Sequence, residues 1–225
     1  MPTTAAPTRS YRSVRRAEQA ASTRARVLAV ATALFLDRGW AGTGMRAVAD
    51  GAGVSVATVE LQFGTKAALL KAAIDVAIAG DDVPVPVLDR DWAGQATAAP
   101  DAGRFLDLVA GVLAPAQQRS AGLVLAVLEG ARTDRHLDEL ATRLADQRLG
   151  TARWIVRTLA AKRPLRTELR DERAAETLWA LMDPALFDRL VRYRSWSPAD
   201  YQAWFARSAA ALLLPDSPTL EGAPR

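Results

Sequence analysis

Few residues in this chain can do covalent or metal chemistry. Its 225 residues contain no cysteine and one histidine, His136. That excludes disulfide scaffolds, thiolate nucleophiles, iron–sulfur clusters and cysteine-ligated zinc, and it argues against a histidine-rich metal site or a hydrolytic triad. His136, flanked by Arg135 and with Asp138 close by, reads as a surface residue near a helix start. There is no glycine-rich phosphate loop, no pair of catalytic carboxylates and no nucleophile motif. No cofactor or metal is called for, and an enzyme is not expected.

The residues able to meet a polyanion are more numerous, and they cluster. Residues 1–80 hold ten Lys/Arg against five acids, a net +5, whereas residues 81–225 hold 19 basic and 20 acidic residues, a net −1. The whole positive excess therefore sits in the first third, as expected if that third approaches a nucleic acid. A single arginine is weak evidence of function, because only Lys66, Lys71 and Lys162 of the 29 basic residues are lysine. The longest apolar runs, Leu123–Leu128 and Ala209–Leu214, are far too short to cross a bilayer, and the first residues have no apolar core. The expectation is a cytoplasmic protein without a membrane partner.

The apolar periodicity is helical throughout, and no strand-like alternation competes with it. Residues 1–20 lack periodicity and read as a disordered basic arm. Val27, Leu28, Ala31, Leu34 and Phe35 then mark a helix that Ser22 or Thr23 can cap and Gly39 ends. A short helix is predicted from Thr43, as N-cap, to about Gly51, another from Ser55 to about Phe63, and a longer one from Thr65 to Gly80. Residues 81–100, with Pro84, Pro86 and Pro100, read as a long irregular connector. Beyond it, helices are expected near 101–114, 116–132, 135–161, 168–193 and 198–214. Pro115 and Pro198 suit first-turn positions, and Pro184 should kink or split its helix. The fold class is all-α with about nine helices, arranged as a DNA-binding domain over 21–79, a second helical domain over 80–214, and a flexible tail over 215–225.

Two short helices joined by Ala52-Gly53-Val54 describe a helix-turn-helix over 43–62. Such a unit needs a small residue where its helices cross, and Ala49 suits that place. Its turn needs a residue that tolerates positive φ, which Gly53 supplies. Val48, Ala52, Val54 and Val59 supply the apolar wedge that fixes the angle. The second helix, about 55–63, then offers its N-terminal residues to the major groove.

Over Thr23–Ile74 the chain resembles the DNA-binding domain of TetR/AcrR-type bacterial transcriptional regulators. The resemblance rests on Leu34-Phe35, Gly39, Thr43, Val48-Ala49, Ala52-Gly53-Val54-Ser55, Thr58, Phe63, Lys66 and Leu69, in order and without a gap. It implies that Thr43, Ser55, Thr58 and Lys66 hold DNA phosphates, with Arg46 nearby. Val56, Ala57, Glu60, Leu61 and Gln62 would occupy the exposed start and face of the recognition helix, and Arg12, Arg15 and Arg16 of the arm would reach the backbone or a minor groove. Where the family usually carries aromatic residues, this chain has Thr58-Val59-Glu60-Leu61-Gln62-Phe63. Glu60 near phosphates costs Coulomb energy unless it is paired, and Arg46 is a candidate partner. It either accepts from cytosine N4 or is a solvated acid; the sequence leaves both open.

The same resemblance implies a homodimer on palindromic double-stranded DNA and a small-molecule effector. Met182, Leu186, Trp204, Phe205 and Leu212, on the last two long helices, are the candidate dimer residues. Phe105, Leu108, Val112, Leu125, Leu128, Trp154 and Trp179 are the candidate lining of a pocket for an apolar or aromatic ligand. The implied activity is that of a repressor released from its operator by that ligand. The alternative reading is a helical ligand-binding or interaction protein whose helix-turn-helix no longer reads DNA.

Overall fold

The computed structural model describes residues 9–215, with side-chain surroundings from Val14 onward. Among these residues there is no strand, and ten α-helices follow one another. They are α1 (Arg9–Gly42), α2 (Met45–Ala52), α3 (Val56–Phe63), α4 (Lys66–Ala79), α5 (Asp91–Thr97), α6 (Ala102–Gly130), α7 (Arg135–Lys162), α8 (Asp171–Leu181), α9 (Pro184–Phe187) and α10 (Pro198–Leu213). Two compact units divide between Asp75 and Val76, so α4 begins in the first and ends in the second. Among the described residues no helix is long and apolar enough to cross a membrane.

Several boundaries differ from those expected. Residues 9–20 are not an irregular arm: α1 starts at Arg9, and the arm expected over residues 1–8 lies outside the described residues. So does the tail after Pro215. Weak apolar periodicity misled the expectation, since residues 14–22 are exposed on every face and a solvated helix carries no stripe. Pro115 does not begin a new helix. It lies exposed inside α6, while Ala114, Ala116 and Gln117 beside it are buried, so packing on both sides overrides the missing N–H. Pro184 does split its helix: α8 stops at Leu181, Asp183 caps the next turn through Ala185 N at 2.8 Å, and α9 runs into a π-helical turn over Asp188–Tyr193.

The expected connector over 81–100 is ordered by one charged clasp. Arg90 makes a two-pronged pair with Asp81 at 2.7 and 2.9 Å and donates to the carbonyls of Val83 and Val85. Trp92 then closes a turn by donating to Val87 O at 2.8 Å, and α5 follows, burying Ala93 and Ala96. The hydrogen bonds from Arg90, with that from Val83 N, lower the Asp81 carboxyl from its ordinary 3.8 to about 2.

The second unit is a helical bundle around α6, which packs against α7, α9 and α10. Its interior holds Phe105, Leu106, Val109, Ile155, Val156, Leu159, Leu178, Phe205 and Leu213. Phe187 meets the edge of Tyr201 at 4.8 Å in a smaller cluster with Ala114 and Ala121. Ser197 starts α10 with a complete capping box, accepting from Asp200 N while Asp200 accepts from Ser197 N. From α6, Arg119 reaches the end of α4 and donates to Ala77 O at 2.8 Å and Ile78 O at 3.2 Å. That places a cation at the negative pole of a helix with no basic residue in its own last turn.

Among the described residues three buried side-chain atoms lack a hydrogen-bond partner: Gln62 Oε1, Arg148 Nε and Tyr201 Oη. The Tyr201 hydroxyl is fully enclosed without a hydrogen-bond partner, and burial, with Asp183 nearby, pushes its ionisation up. An unpaired buried hydroxyl costs about 1–3 kcal/mol, so Tyr201→Phe should raise the unfolding free energy of the ligand-free protein by about 1 kcal/mol in urea titration. The Asp81 clasp makes a second prediction. Its folded carboxyl titrates below its ordinary value, so its contribution is complete above pH 3.8 and is lost as pH falls towards 2. Amide exchange over residues 81–90 should accelerate across that window before the rest of the unit opens.

Candidate nucleic-acid interface

The first unit builds a helix-turn-helix from local rules. Val27, Leu28, Ala31 and Phe35 of α1, Val48, Ala49 and Ala52 of α2, and Val59 and Phe63 of α3 are all buried. Gly53 closes α2 in the left-handed region at φ 64°, and Val54 N returns to Ala49 O at 3.0 Å. Ser55 caps α3: its Oγ accepts from Thr58 N at 3.1 Å and lies 2.8 Å from the Thr58 hydroxyl. Thr65 caps α4 in the same way, accepting from Ala68 N at 3.1 Å.

On α3 the residues expected to face DNA do face solvent. Ala57, Glu60 and Leu61 are exposed, Leu61 to 89%, while Val56, Thr58 and Gln62 are half-buried. Leu61 is the most exposed large apolar side chain among the described residues. Arg46 is exposed on α2. No ion pair links it to Glu60 among the described residues, so the anticipated neutralisation of Glu60 is not made within the unit. Arg24 lies 4.8 Å above the ring of Phe63, where α3 ends. Arg16 is exposed on α1, and Arg15 makes a contact there too; the side chain of Arg12 is outside the described set.

Two residues expected at phosphates are turned inward. Thr43 is 1% exposed, and its hydroxyl lies 3.0 Å from Leu34 O and 2.9 Å from Gly39 O, so it does not cap α2. The N-cap is Gly44, with no side-chain bond. Lys66 donates to Trp40 O at 2.7 Å and Thr43 O at 2.8 Å, with its ammonium 3.9 Å above the Trp40 ring. The reason is the end of α1. Gly39, at φ 64° and ψ −170°, breaks the helix and leaves carbonyls without helical donors. Sequence reasoning passed over Trp40, whose carbonyl and ring both hold Lys66. It also passed over Gly51: a Cβ there would meet Val30 Cγ1 at 2.7 Å, so α1 and α2 touch through a missing side chain.

The residues proposed for ligand and dimer contacts scatter across the second unit. Leu108 and Val112 line a groove of about 620 Å³ with Trp92, Gln95, Arg104, Asp107, Gly111, Ala199, Gln202 and Ala203. Phe105 is fully buried behind them, 6.0 Å from Trp154, which meets Trp92 edge-on at 5.4 Å. Leu125 is half-buried and Leu128 is 41% exposed, so neither joins the groove. Trp179 stands apart, donating to Ala145 O at 3.1 Å beneath Arg148, which pairs with Asp183 at 3.0 Å. Met182 and Phe205 are inside their own chain, whereas Leu186 and Trp204 are half-buried and Leu212 is 46% exposed. Met182 and Phe205 join the core that also holds Phe105, Val109 and Leu178. Tyr193, 77% exposed, was not foreseen. His136 is exposed at the start of α7.

Comparison with known proteins agrees with this geometry. Residues 27–73 match the model of the bacterial regulatory proteins of the tetR family. NalD of Pseudomonas aeruginosa, the secondary repressor of the MexAB-OprM multidrug efflux pump, has a similar fold, with a TM-score of 0.65 at 20% identity over 89% of this chain and 100% of that one. A TetR-family regulator from Rhodococcus gives a TM-score of 0.65 at 18% identity, over 85% and 98% of the two chains. A protein from Saccharomonospora viridis described as a transcriptional regulator in complex with choline gives 0.64 at 18% identity, over 87% and 99%. No curated protein matches in sequence. The first unit is a helix-turn-helix of the kind that this family model describes. Outside residues 27–73 the likeness to those regulators is one of fold.

The close contact at Gly51 is testable. Gly51→Ala places a methyl against a stiff β-branched side chain, and overpacking of this kind costs about 1–3 kcal/mol. Thermal melting of the variant should show that loss, in contrast to Gly44→Ala, where a Cβ meets nothing within 4 Å.

Proposed function

We propose that the protein is a homodimeric repressor, two copies of which present α3 to successive major grooves of a palindromic operator. The observation that carries this reading is the outer face of α3, where Ala57, Glu60 and Leu61 stand exposed on a helix whose start and both flanking turns are fixed. An exposed leucine suits the methyl of thymine, and an unpaired carboxylate suits cytosine N4. Ser55, Thr58 and Arg46 supply backbone contacts, and Val56 and Gln62 border the readers. One short helix buries too little surface for specificity, whereas two related by a twofold axis read half-sites one turn apart. Leu186, Trp204 and Leu212, with Tyr193, are the dimer residues that remain available once Met182 and Phe205 are assigned to the core.

The effector is a small molecule with an apolar or aromatic body, and the groove holding Leu108 and Val112 is its site. Trp92 offers an indole face there, and Asp107, Arg104, Gln95 and Gln202 offer polar anchors. Support for release on binding comes from connectivity: α6 lines the groove with its first half and fastens the end of α4 through Arg119 with its second. A ligand that prefers one pose of α6 therefore biases α4, and operator affinity falls by the ratio of its affinities for the two poses.

In vitro selection of genomic fragments at moderate salt tests the reading. A short palindrome should be enriched, and Glu60→Ala should relax preference at a C·G pair within each half-site by about 1–3 kcal/mol. An unchanged base preference in that variant would make Glu60 a solvated acid. Only weak, salt-sensitive and sequence-blind retention would favour the alternative, a helical ligand-binding protein with a vestigial reader.

A further inference from the structure

The groove between α5, α6 and α10 carries four polar side chains, Gln95, Arg104, Asp107 and Gln202. Among the described residues none of the four makes a side-chain hydrogen bond or an ion pair. Charged neighbours one turn apart elsewhere in this unit do pair. Arg173 and Glu176, in the same order and at the same spacing as Arg104 and Asp107, meet at 2.7 Å, and Arg135 meets Glu139 at 2.9 Å. Arg104 and Asp107 stand three residues apart on α6, a spacing that puts Cβ atoms about 5–6 Å from one another. Each nonetheless keeps its charge for what enters the groove. The Trp92 ring beside them is held in place, its Nε1 donating to Val87 O at 2.8 Å and its ring meeting Trp154 edge-on at 5.4 Å. An indole fixed in this way loses little rotamer freedom when a ligand packs on it.

We propose that the groove is a zwitterion site: its ligand carries an ammonium and a carboxylate on one carbon and has an apolar body, as an α-amino acid with a large side chain does. The inference rests on the effector reading and narrows it. Arg104 donates to the carboxylate, Asp107 accepts from the ammonium, and Trp92 covers the body. Each charge also rejects a simpler relative of the ligand. A carboxylate that lacks the ammonium brings a like charge to Asp107, and an amine that lacks the carboxylate brings one to Arg104. A neutral apolar molecule fares no better, because it takes water from both charges and pairs with neither. The volume of about 620 Å³ leaves room for a bulky body.

Isothermal titration calorimetry of the full chain with L-tryptophan, tryptamine and indole-3-propionate compares one body bearing both charges, the ammonium alone and the carboxylate alone. L-tryptophan should bind about tenfold more tightly than either relative. Arg104→Gln should lose about tenfold for L-tryptophan and hold it no better than tryptamine. Asp107→Asn should lose as much and hold it no better than indole-3-propionate. Both side chains are exposed, so both variants should melt as the wild type does. Equal affinity for the three probes overturns the proposal, as do affinities that neither variant changes. No saturable heat with L-tryptophan or with L-leucine overturns it too. The effector reading is tested apart from this, by anisotropy of the most enriched genomic fragment. L-tryptophan that binds through Arg104 and Asp107 yet leaves the affinity for DNA unchanged overturns release by a ligand and leaves the zwitterion site standing. Release by indole itself, with no advantage for L-tryptophan, keeps the effector reading and overturns the zwitterion site.

Discussion

A helix that stops must do something with its last carbonyls, and in this protein the answer organises the helix-turn-helix unit. Gly39 breaks α1 with a positive φ, and the carbonyls of Leu34, Gly39, Trp40 and Thr43 gather donors from side chains that lie later in the chain. Unpaired, each such group would cost about as much as a lost hydrogen bond in a corner shielded from water. Paired, they join three helices at one point. The buried stripe from Val27 to Phe35 and the wedge of Val48, Ala49, Ala52 and Val59 close beside that point. The exposed face of α3 follows from that closure, because Val59 and Phe63 point inward and leave Ala57, Glu60 and Leu61 outside.

The second unit uses the same economy at a different helix end. Arg119 supplies the end of α4 with the cation that its own sequence lacks, and Lys162 does the like for the carbonyls of Thr97 and Ala99 at the close of α5. Both donors come from long helices, so the short and irregular segments are anchored to the rigid ones. Arg148 is less well served. Burial opposes its charge, Asp183 offsets part of that, and its Nε has no partner. Together with the enclosed Tyr201 hydroxyl, it makes the region around the Pro184 break the least satisfied part of the interior.

What was legible in the sequence was whatever is encoded within a few residues. Ser55, Gly53, Thr65 and Ser197 announce their caps and turns because the partner atoms are two to four positions away. The split at Pro184 was visible for the same reason. Thr43 looked like a cap by type, yet its hydroxyl turns to carbonyls four and nine residues earlier. The Lys66 pairing spans 23 and 26 residues, so nothing local distinguishes it from a solvent-facing lysine. Helix α5 was hidden among prolines because the clasp that permits it joins Asp81 to Arg90, and the groove beside Trp92 was hidden with it. Surface and core were the hardest to separate in the second unit, since apolar type alone does not distinguish Phe205, which is fully enclosed, from Leu212, which is half in water.

The central claim is that paired copies of α3 read two half-sites from one face of the duplex. Hydroxyl-radical footprinting of the complex tests it most directly, because it reports the backbone positions covered and not merely that binding occurs. The account predicts two protected segments about one helical turn apart, roughly 10 base pairs centre to centre, with equal intensity on the two strands. A single protected segment, or uniform weak protection along the fragment, would contradict it.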